Sequence, residues 1–327
     1  MPPGFGPIAG LKVGHAQDDW AFTGCTVLIA EAGMVAACDP RGGATGTREL
    51  GVLEPGHIAE AIHGLVLSGG SAFGLDAATG VVRWLEERDI GFDAGVARVP
   101  IVPAAVLFDL ALGDARRRPD AAMGYQAAAA AGPGPVAEGN VGAGTGASVG
   151  KFRGMEQAMK AGVGCWTEDC AGDDGATVRV AALAAVNAFG DVRDPATGRL
   201  LAGTRSAIGS HDLLDTAAAL RREFAPPSFG RPGAAPANTV LVAVATGAAL
   251  TRADAARLAV MASAGMARAL SPAFTRFDGD IVFALSCGDA RASVDALGAA
   301  AAEAVARAIV RGVTQARSAA GLPGLAG

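Results

Sequence analysis

The chain is poor in aromatic side chains. One Tyr, three Trp and 12 Phe amount to 5% of 327 residues, so small aliphatic residues must fill whatever core it builds. Lysine is also scarce: of 27 basic residues only Lys12, Lys151 and Lys160 are lysines. The basic residues are scattered and the net charge is −5, which excludes a phosphate-tracking stripe and with it a nucleic-acid partner. No run reaches the roughly 18 uninterrupted apolar residues of a membrane span. The opening MPPGFGPIAGLKVGH lacks the basic and apolar regions of a secretory leader, so the expectation is a cytoplasmic protein with no membrane partner.

Cysteine chemistry is also thin. Cys25, Cys38, Cys165, Cys170 and Cys287 are odd in number and show no CxxC spacing, which argues against a disulfide framework or a zinc knuckle and for ordinary buried thiols. The four histidines, His15, His57, His63 and His211, form no HExxH pair. Gly69–Phe73 lacks the second glycine of a GxSxG elbow, so Ser71 reads as a helix cap. A zinc hydrolase and a serine triad are thereby excluded. Disorder is excluded too, because 51% of residues are hydrophobic and 18% charged.

What the chain has in abundance is glycine and short apolar runs. Residues 24–30 and 33–38 read as a hairpin joined by a Glu-Ala-Gly turn. A Gly/Thr-rich loop follows at 41–47. From Ser71 a helical face carries Phe73, Ala77, Val81, Trp84 and Leu85. The run VPIVPAAVLFDLALGD, broken by Pro100 and Pro103, reads as a buried extended segment. Residues 176–189 suggest a buried strand ending near Asn187, and TVLVAVATG from Thr239 another. Thr251 and Asp254 open a helix in capping-box fashion, and FDGDIVFALS reads as a turn and strand before a long Ala-rich helix near 290–311. One layered α/β unit covering 1–327 is the simplest organisation.

Three places can carry chemistry. The loop GNVGAGTGASVGK (139–151) has five glycines in twelve positions and ends in a lysine. It fails as a Walker A loop, since Thr145 stands where glycine is required and Phe152 follows Lys151. Gly142, Gly144 and Ala147, with Glu168 or Asp169 further on, fit a dinucleotide fingerprint loosely; a tight crossover loop and a catalytic loop remain open beside it. The pair Asp278 and Asp280, spaced i, i+2 on entering a strand, puts two carboxylates on one face. Finally, a Pro/Gly-rich connector (225–238) abuts the strand that opens at Thr239. This junction suits attack of Thr239 Oγ1 on the Asn238 carbonyl, an N-to-O acyl shift and ester hydrolysis. The liberated amine, with an unperturbed pKa of about 7.7–8.0, would serve as base toward its own hydroxyl.

VGHAQDDWAFTGCTVLI, LSGGSAFGLDAATGVVRWLEE, RVPIVPAAVLFDL, NVGAGTGASVGK, VNAFGDV, ANTVLVAVATGAAL and FDGDIVFAL together resemble the DmpA and β-peptidyl aminopeptidase family, in particular its branch containing nylon-oligomer hydrolase. The resemblance runs collinearly over nearly the whole chain. It implies a four-layer αββα fold of the N-terminal-nucleophile type, cut into chains 1–238 and 239–327. By position Thr239 would be the nucleophile, Asn238 the residue before the cut, Asn187 the oxyanion donor and Lys151 the group poising the nucleophile. Asp278 and Asp280 would position the amine and the hydroxyl. The implied activity is hydrolysis of small peptides, amino-acid amides or ω-amino-acid oligomers, with no metal or organic cofactor, by a homotetramer of processed heterodimers. Phe108 stands where some relatives carry a tyrosine hydroxyl. The competing expectations are acyl transfer of the ornithine acetyltransferase type and a noncatalytic nucleotide-binding protein.

Overall fold

The computed structural model describes residues 4–223 and 238–327. The connector expected at 225–238 therefore lies outside the described residues, except for Asn238. In chain order the elements that build the site are β1 (Leu11–Asp18), β2 (Thr23–Pro40), β3 (Gly46–Arg48), β4 (Ile62–Ser68) and α1 (Ala77–Glu86). After them come β5 (Ala104–Val106), α2 (Ala121–Ala129), β6 (Val163–Ala171) and β7 (Thr177–Asn187). The last are β8 (Thr239–Ala248), α3 (Arg252–Ala269), β9 (Ile281–Ala290) and α4 (Val294–Thr314).

The strands form one mixed nine-stranded array in the order β6-β7-β8-β9-β2-β4-β5-β3, with β1 on the first half of β2. β8 and β9 run parallel, as do β4 and β5; the remaining neighbours are antiparallel. Strand β2 is long enough to serve two sheets. Its residues 23–30 pair with β1 and part of that stretch with β4, while residues 35–40 pair with β9.

Period-two alternation in wholly apolar strands gives each face its own layer. In β7, Val180, Ala182, Ala184 and Val186 pack with α3 and α4, whereas Ala181, Leu183 and Ala185 pack between the sheets. β8 repeats the pattern with Val240, Val242 and Val244 against Leu241, Ala243 and Ala245. On the other sheet Leu65 and Leu67 of β4 point inward, and Val66 packs with Val81 and Leu85 of α1. The order is therefore helices, sheet, sheet, helices: the αββα sandwich that the resemblance implied. Among the described residues no helix is long and apolar enough to cross a membrane.

Two local expectations need correction. The Glu-Ala-Gly stretch is no hairpin turn; β2 runs through it as one strand. Gly33 sits at φ +83°, and the pairing to β4 slips between Ile29 and Met34, so the stretch is a bulge at which β2 changes sheets. Ser71 is not a helix cap either: it lies at φ +53° as the first residue of a 3₁₀ turn (Ser71–Asp76), and the residue at the cap position of α1 is Asp76. Phe73 leaves the helical face and is 59% exposed beneath the Arg118 guanidinium. The Thr251 cap is present, its side chain accepting from Asp254 N at 3.1 Å.

Small residues let the helices meet closely. A Cβ on Gly80 would lie 1.8 Å from the Ala121 carbonyl, and one on Gly124 1.8 Å from that of Ala77, so α1 and α2 touch backbone to backbone. Gly124→Ala should cost about 1–3 kcal/mol through overpacking, despite the better helix propensity of alanine. Urea midpoints in an uncut Thr239→Ala background check this; an unchanged midpoint would show that the helices do not meet so tightly.

Candidate active site

Register places the chemistry at one end of three adjacent strands. Asn187, the last residue of β7, lies opposite Thr239, the first of β8. The parallel pairing of β8 and β9 continues outward as a bridge between Asn238 and Asp278, with Asp280 just ahead of Ile281. Lys151 comes from the Gly-rich loop, whose Gly150 and Lys151 amides bond to the carbonyls of Gly190 and Phe189 at 2.9 and 3.0 Å. All six residues expected at the site are therefore brought together, each no more than 3% exposed.

The hydrogen bonds give each residue a distinct place. The Thr239 hydroxyl donates to the Asn238 carbonyl at 2.5 Å, and the same oxygen accepts the Gly279 N–H at 2.6 Å. Lys151 Nζ donates to Asn187 Oδ1 at 2.7 Å and to its main-chain oxygen at 3.1 Å. Asn187 Oδ1 also accepts from Ser148 N, and Asn187 Nδ2 donates to the Phe108 carbonyl at 3.1 Å. Asp280 accepts from the amides of Val240 (2.8 Å) and Phe274 (3.1 Å). Asp278 accepts from Phe189 N at 3.2 Å and from the Thr275 hydroxyl and amide. The hydroxyl of Thr239 thus rests on the carbonyl before it rather than on either carboxylate.

Burial sets the proton affinities. Loss of water lowers Lys151 to about 7, although Asp278, Asp109 and Asp280 pull it back up. Asp280 is raised to about 8, by burial first and by Asp278 second; Asp278 is raised by burial as well. Lys151 and the two carboxylates thus share one dry cluster in which each charge alters the proton affinity of the others.

Sequence reading missed the second buried lysine and the aspartate beside Phe108. Lys160 donates to the carbonyls of Gly144, Ala147 and Ala161, so it clamps the Gly-rich loop from beneath. Asp109 accepts from Thr23 Oγ1 and Gly70 N, each at 2.7 Å, and burial raises it to about 6. The scarcity of lysine was the one available signal for Lys160. The loop itself is no nucleotide cradle. A short 3₁₀ turn (Gly142–Gly144) is followed by a two-residue strand, with no helix behind it, and its glycines are filled by protein: a Cβ on Gly146 would meet the Phe22 carbonyl at 2.1 Å. Among the described residues no group of three or more His, Cys, Asp or Glu is placed to hold a metal.

The sequence profile described as peptidase family S58 matches residues 7–326. The chain belongs to peptidase family S58. An uncharacterised aminopeptidase of Mycobacterium bovis is 42% identical, with 97% of this chain and 95% of that one covered. A 6-aminohexanoate-oligomer endohydrolase of Kocuria sp. is 30% identical over 85% of this chain and 73% of its own. Among solved structures, the L-aminopeptidase D-Ala-esterase/amidase of Ochrobactrum anthropi, described as a variant of the Ntn-hydrolase fold, superposes with a TM-score of 0.69. It has 21% identity and covers 97% of this chain and 88% of that one. A Burkholderia sp. β-aminopeptidase gives 0.67 at 24% identity, covering 99% and 92%. These likenesses establish the fold, and membership of S58 establishes a hydrolase of the peptidase and amidase kind.

The Asp280 shift has a testable sign. Its folded affinity, about 8, lies above its ordinary value of 3.8, so between these pH values the folded chain holds a proton that the unfolded chain has lost. The Asp280 contribution to stability is thus complete below about pH 4 and declines as pH rises toward 8. In an uncut Thr239→Ala background, Asp280→Asn should therefore gain stability relative to its parent as pH climbs from 5 to 8. Parallel denaturation curves across that range would contradict the assignment.

Proposed function

We propose that the chain cuts itself between Asn238 and Thr239 and then hydrolyses small amides through an acyl-enzyme on Thr239. The observation that carries the reading is the buried junction itself: a hydroxyl 2.5 Å from the carbonyl oxygen of the preceding residue, at the head of a strand, opposite the Asn187 that Lys151 holds and alongside the segment that carries Asp278 and Asp280. In self-cleavage Thr239 Oγ1 adds to the Asn238 carbonyl carbon. Its proton passes to the neutral fraction of Lys151 and then to the departing Thr239 nitrogen as the C–N bond breaks. Water hydrolyses the ester, leaving a carboxylate on Asn238 and a free amine on Thr239, in chains 1–238 and 239–327.

In turnover that amine takes the Oγ1 proton, and the substrate acyl group occupies the place of Asn238. Asp280, already bonded to the Val240 amide, lies beside the new amine and holds it. Asn187 Nδ2 has one hydrogen on the Phe108 carbonyl and offers the other to the acyl oxygen. Phe108 brings no hydroxyl, so a tyrosine role at that position is absent from this chain. The substrate class is short peptides, amino-acid amides or ω-amino-acid oligomers, in keeping with relatives named aminopeptidase and 6-aminohexanoate-oligomer endohydrolase. The working form is a homotetramer of processed heterodimers.

Thr239→Ala should abolish both cleavage and turnover, read by denaturing gel and by hydrolysis of a panel of α-peptides, β-peptides, D-amino-acid amides and 6-aminohexanoate oligomers. Retention of either activity removes Thr239 from its role. Lys151→Met should slow cleavage about 10²-fold or more, the usual worth of a positioned acid–base group; an unchanged time course would eliminate the relay. Amine acceptors added to the assay should leave hydrolysis the dominant outcome, and preferential aminolysis would instead mark an acyltransferase.

A further inference from the structure

We propose that the backbone N–H of Gly279 is the oxyanion donor of self-cleavage, polarising the Asn238 carbonyl and stabilising the charge formed on its oxygen when Thr239 Oγ1 adds. The proposal rests on the reading of the Asn238–Thr239 junction as self-cleaved, and it assigns a group that the resemblance did not supply.

Two independent features of Gly279 point to this role. Its N–H reaches the Asn238 oxygen at 2.6 Å, shorter than the usual 2.9–3.0 Å for an amide bond. Its missing side chain is also required by the nucleophile, because a Cβ there would lie 2.5 Å from Thr239 Oγ1 and 2.8 Å from the Ala44 carbonyl. Glycine at this position keeps the donor and the nucleophile on one carbonyl. Asn187 Nδ2 has one hydrogen on the Phe108 carbonyl and its Oδ1 is held by Lys151 and Ser148, whereas the Gly279 N–H already sits on the Asn238 oxygen before the cut.

The aim of the N–H is fixed by the Gly/Thr-rich loop at 41–47. Ala44 N bonds to the Asp278 carbonyl at 2.9 Å, and Arg41 and Gly42 bond to the Asp280 carbonyl at 2.9 and 3.0 Å. The carbonyls on both sides of residue 279 are thereby pinned. Gly42 passes so near that a Cβ would fall 2.2 Å from the Asp278 oxygen and 2.4 Å from Asp280 N. A donor held this rigidly needs no reorganisation when charge develops, and its bond strengthens as the acceptor becomes an anion.

As the Oγ1–C bond forms, the carbonyl π pair moves onto the oxygen facing Gly279. The pair returns as the C–N bond breaks, and the nitrogen leaves carrying the proton that Oγ1 gave up. No co-reactant other than the water that later hydrolyses the ester is needed.

Two altered chains separate the donor from the missing side chain. Placing glycolic acid at position 279 by α-hydroxy-acid incorporation replaces the N–H with an ester oxygen and adds no side chain. Gly279→Ala keeps the N–H and displaces Oγ1. Cleavage half-times are followed by intact mass, which separates a cut after Asn238 from hydrolysis of the new ester at 278–279, and melting temperatures are compared with uncut Thr239→Ala. The glycolic chain should be cut about 10²-fold more slowly than the unaltered chain; cutting at the unaltered rate overturns the proposal. If the glycolic chain does not melt cooperatively, the infrared band of a ¹³C-labelled Asn238 carbonyl in uncut Thr239→Ala decides: a band shifted below that of ordinary backbone carbonyls supports the proposal and an unshifted band refutes it. Failure of the unaltered chain to cut after Asn238 instead removes the self-cleavage reading itself.

Discussion

Lys151 and Asn187 form the interaction on which the rest of the site depends. One ammonium, 1% exposed, is held by both the main-chain oxygen and the side-chain oxygen of a single residue. That pair of hydrogen bonds ties the Gly-rich loop to the end of β7, directly opposite the head of β8. It also orients the Asn187 amide, because an oxygen facing Lys151 and Ser148 leaves the nitrogen to face Phe108. A buried charge on a lysine is unfavourable unless partners compensate it. Here Asp278, Asp109 and Asp280 pull the Lys151 affinity back up, but burial outweighs them and leaves it lowered to about 7.

The fold makes such a dry cluster possible by placing it at the ends of central strands, under both sheets and the loops that cross them. β7, β8 and β9 are apolar on both faces from Val180 to Val186, from Val240 to Ala245 and from Ile281 to Leu285, so the polar groups of the site gather at the strand ends beyond these runs. The same architecture explains the glycine content. With aromatic side chains scarce, layers and loops approach until backbone touches backbone, as at Gly80, Gly124 and Gly146. Lys160 carries the principle into the loop, where three carbonyls converge on one buried ammonium.

Much of this was legible in the residues. The dense apolar runs gave β7 and β8 nearly to their ends, the Thr251 cap gave the start of α3, and the Asp278–Asp280 spacing marked the entry to β9. The bulge in β2 was misread because a Glu-Ala-Gly stretch has turn composition, and only partners on two different sheets keep the strand going through it. Ser71 misled because capping preference presumes an extended backbone before the helix, and here the residue lies at φ +53°. The bond between Lys151 and Asn187 spans 36 residues and depends on the path of a loop without periodicity. The Gly279 contact was hidden for another reason: it is made by the backbone, which every residue shares.

The central claim is that the strand carrying Thr239 is freed by breaking the chain in front of it. Intact-mass measurement on enzyme purified in active form tests it most directly. The account predicts two associated chains, the smaller beginning with an unmodified Thr239. Active enzyme whose backbone runs unbroken from Asn238 into Thr239 would contradict it.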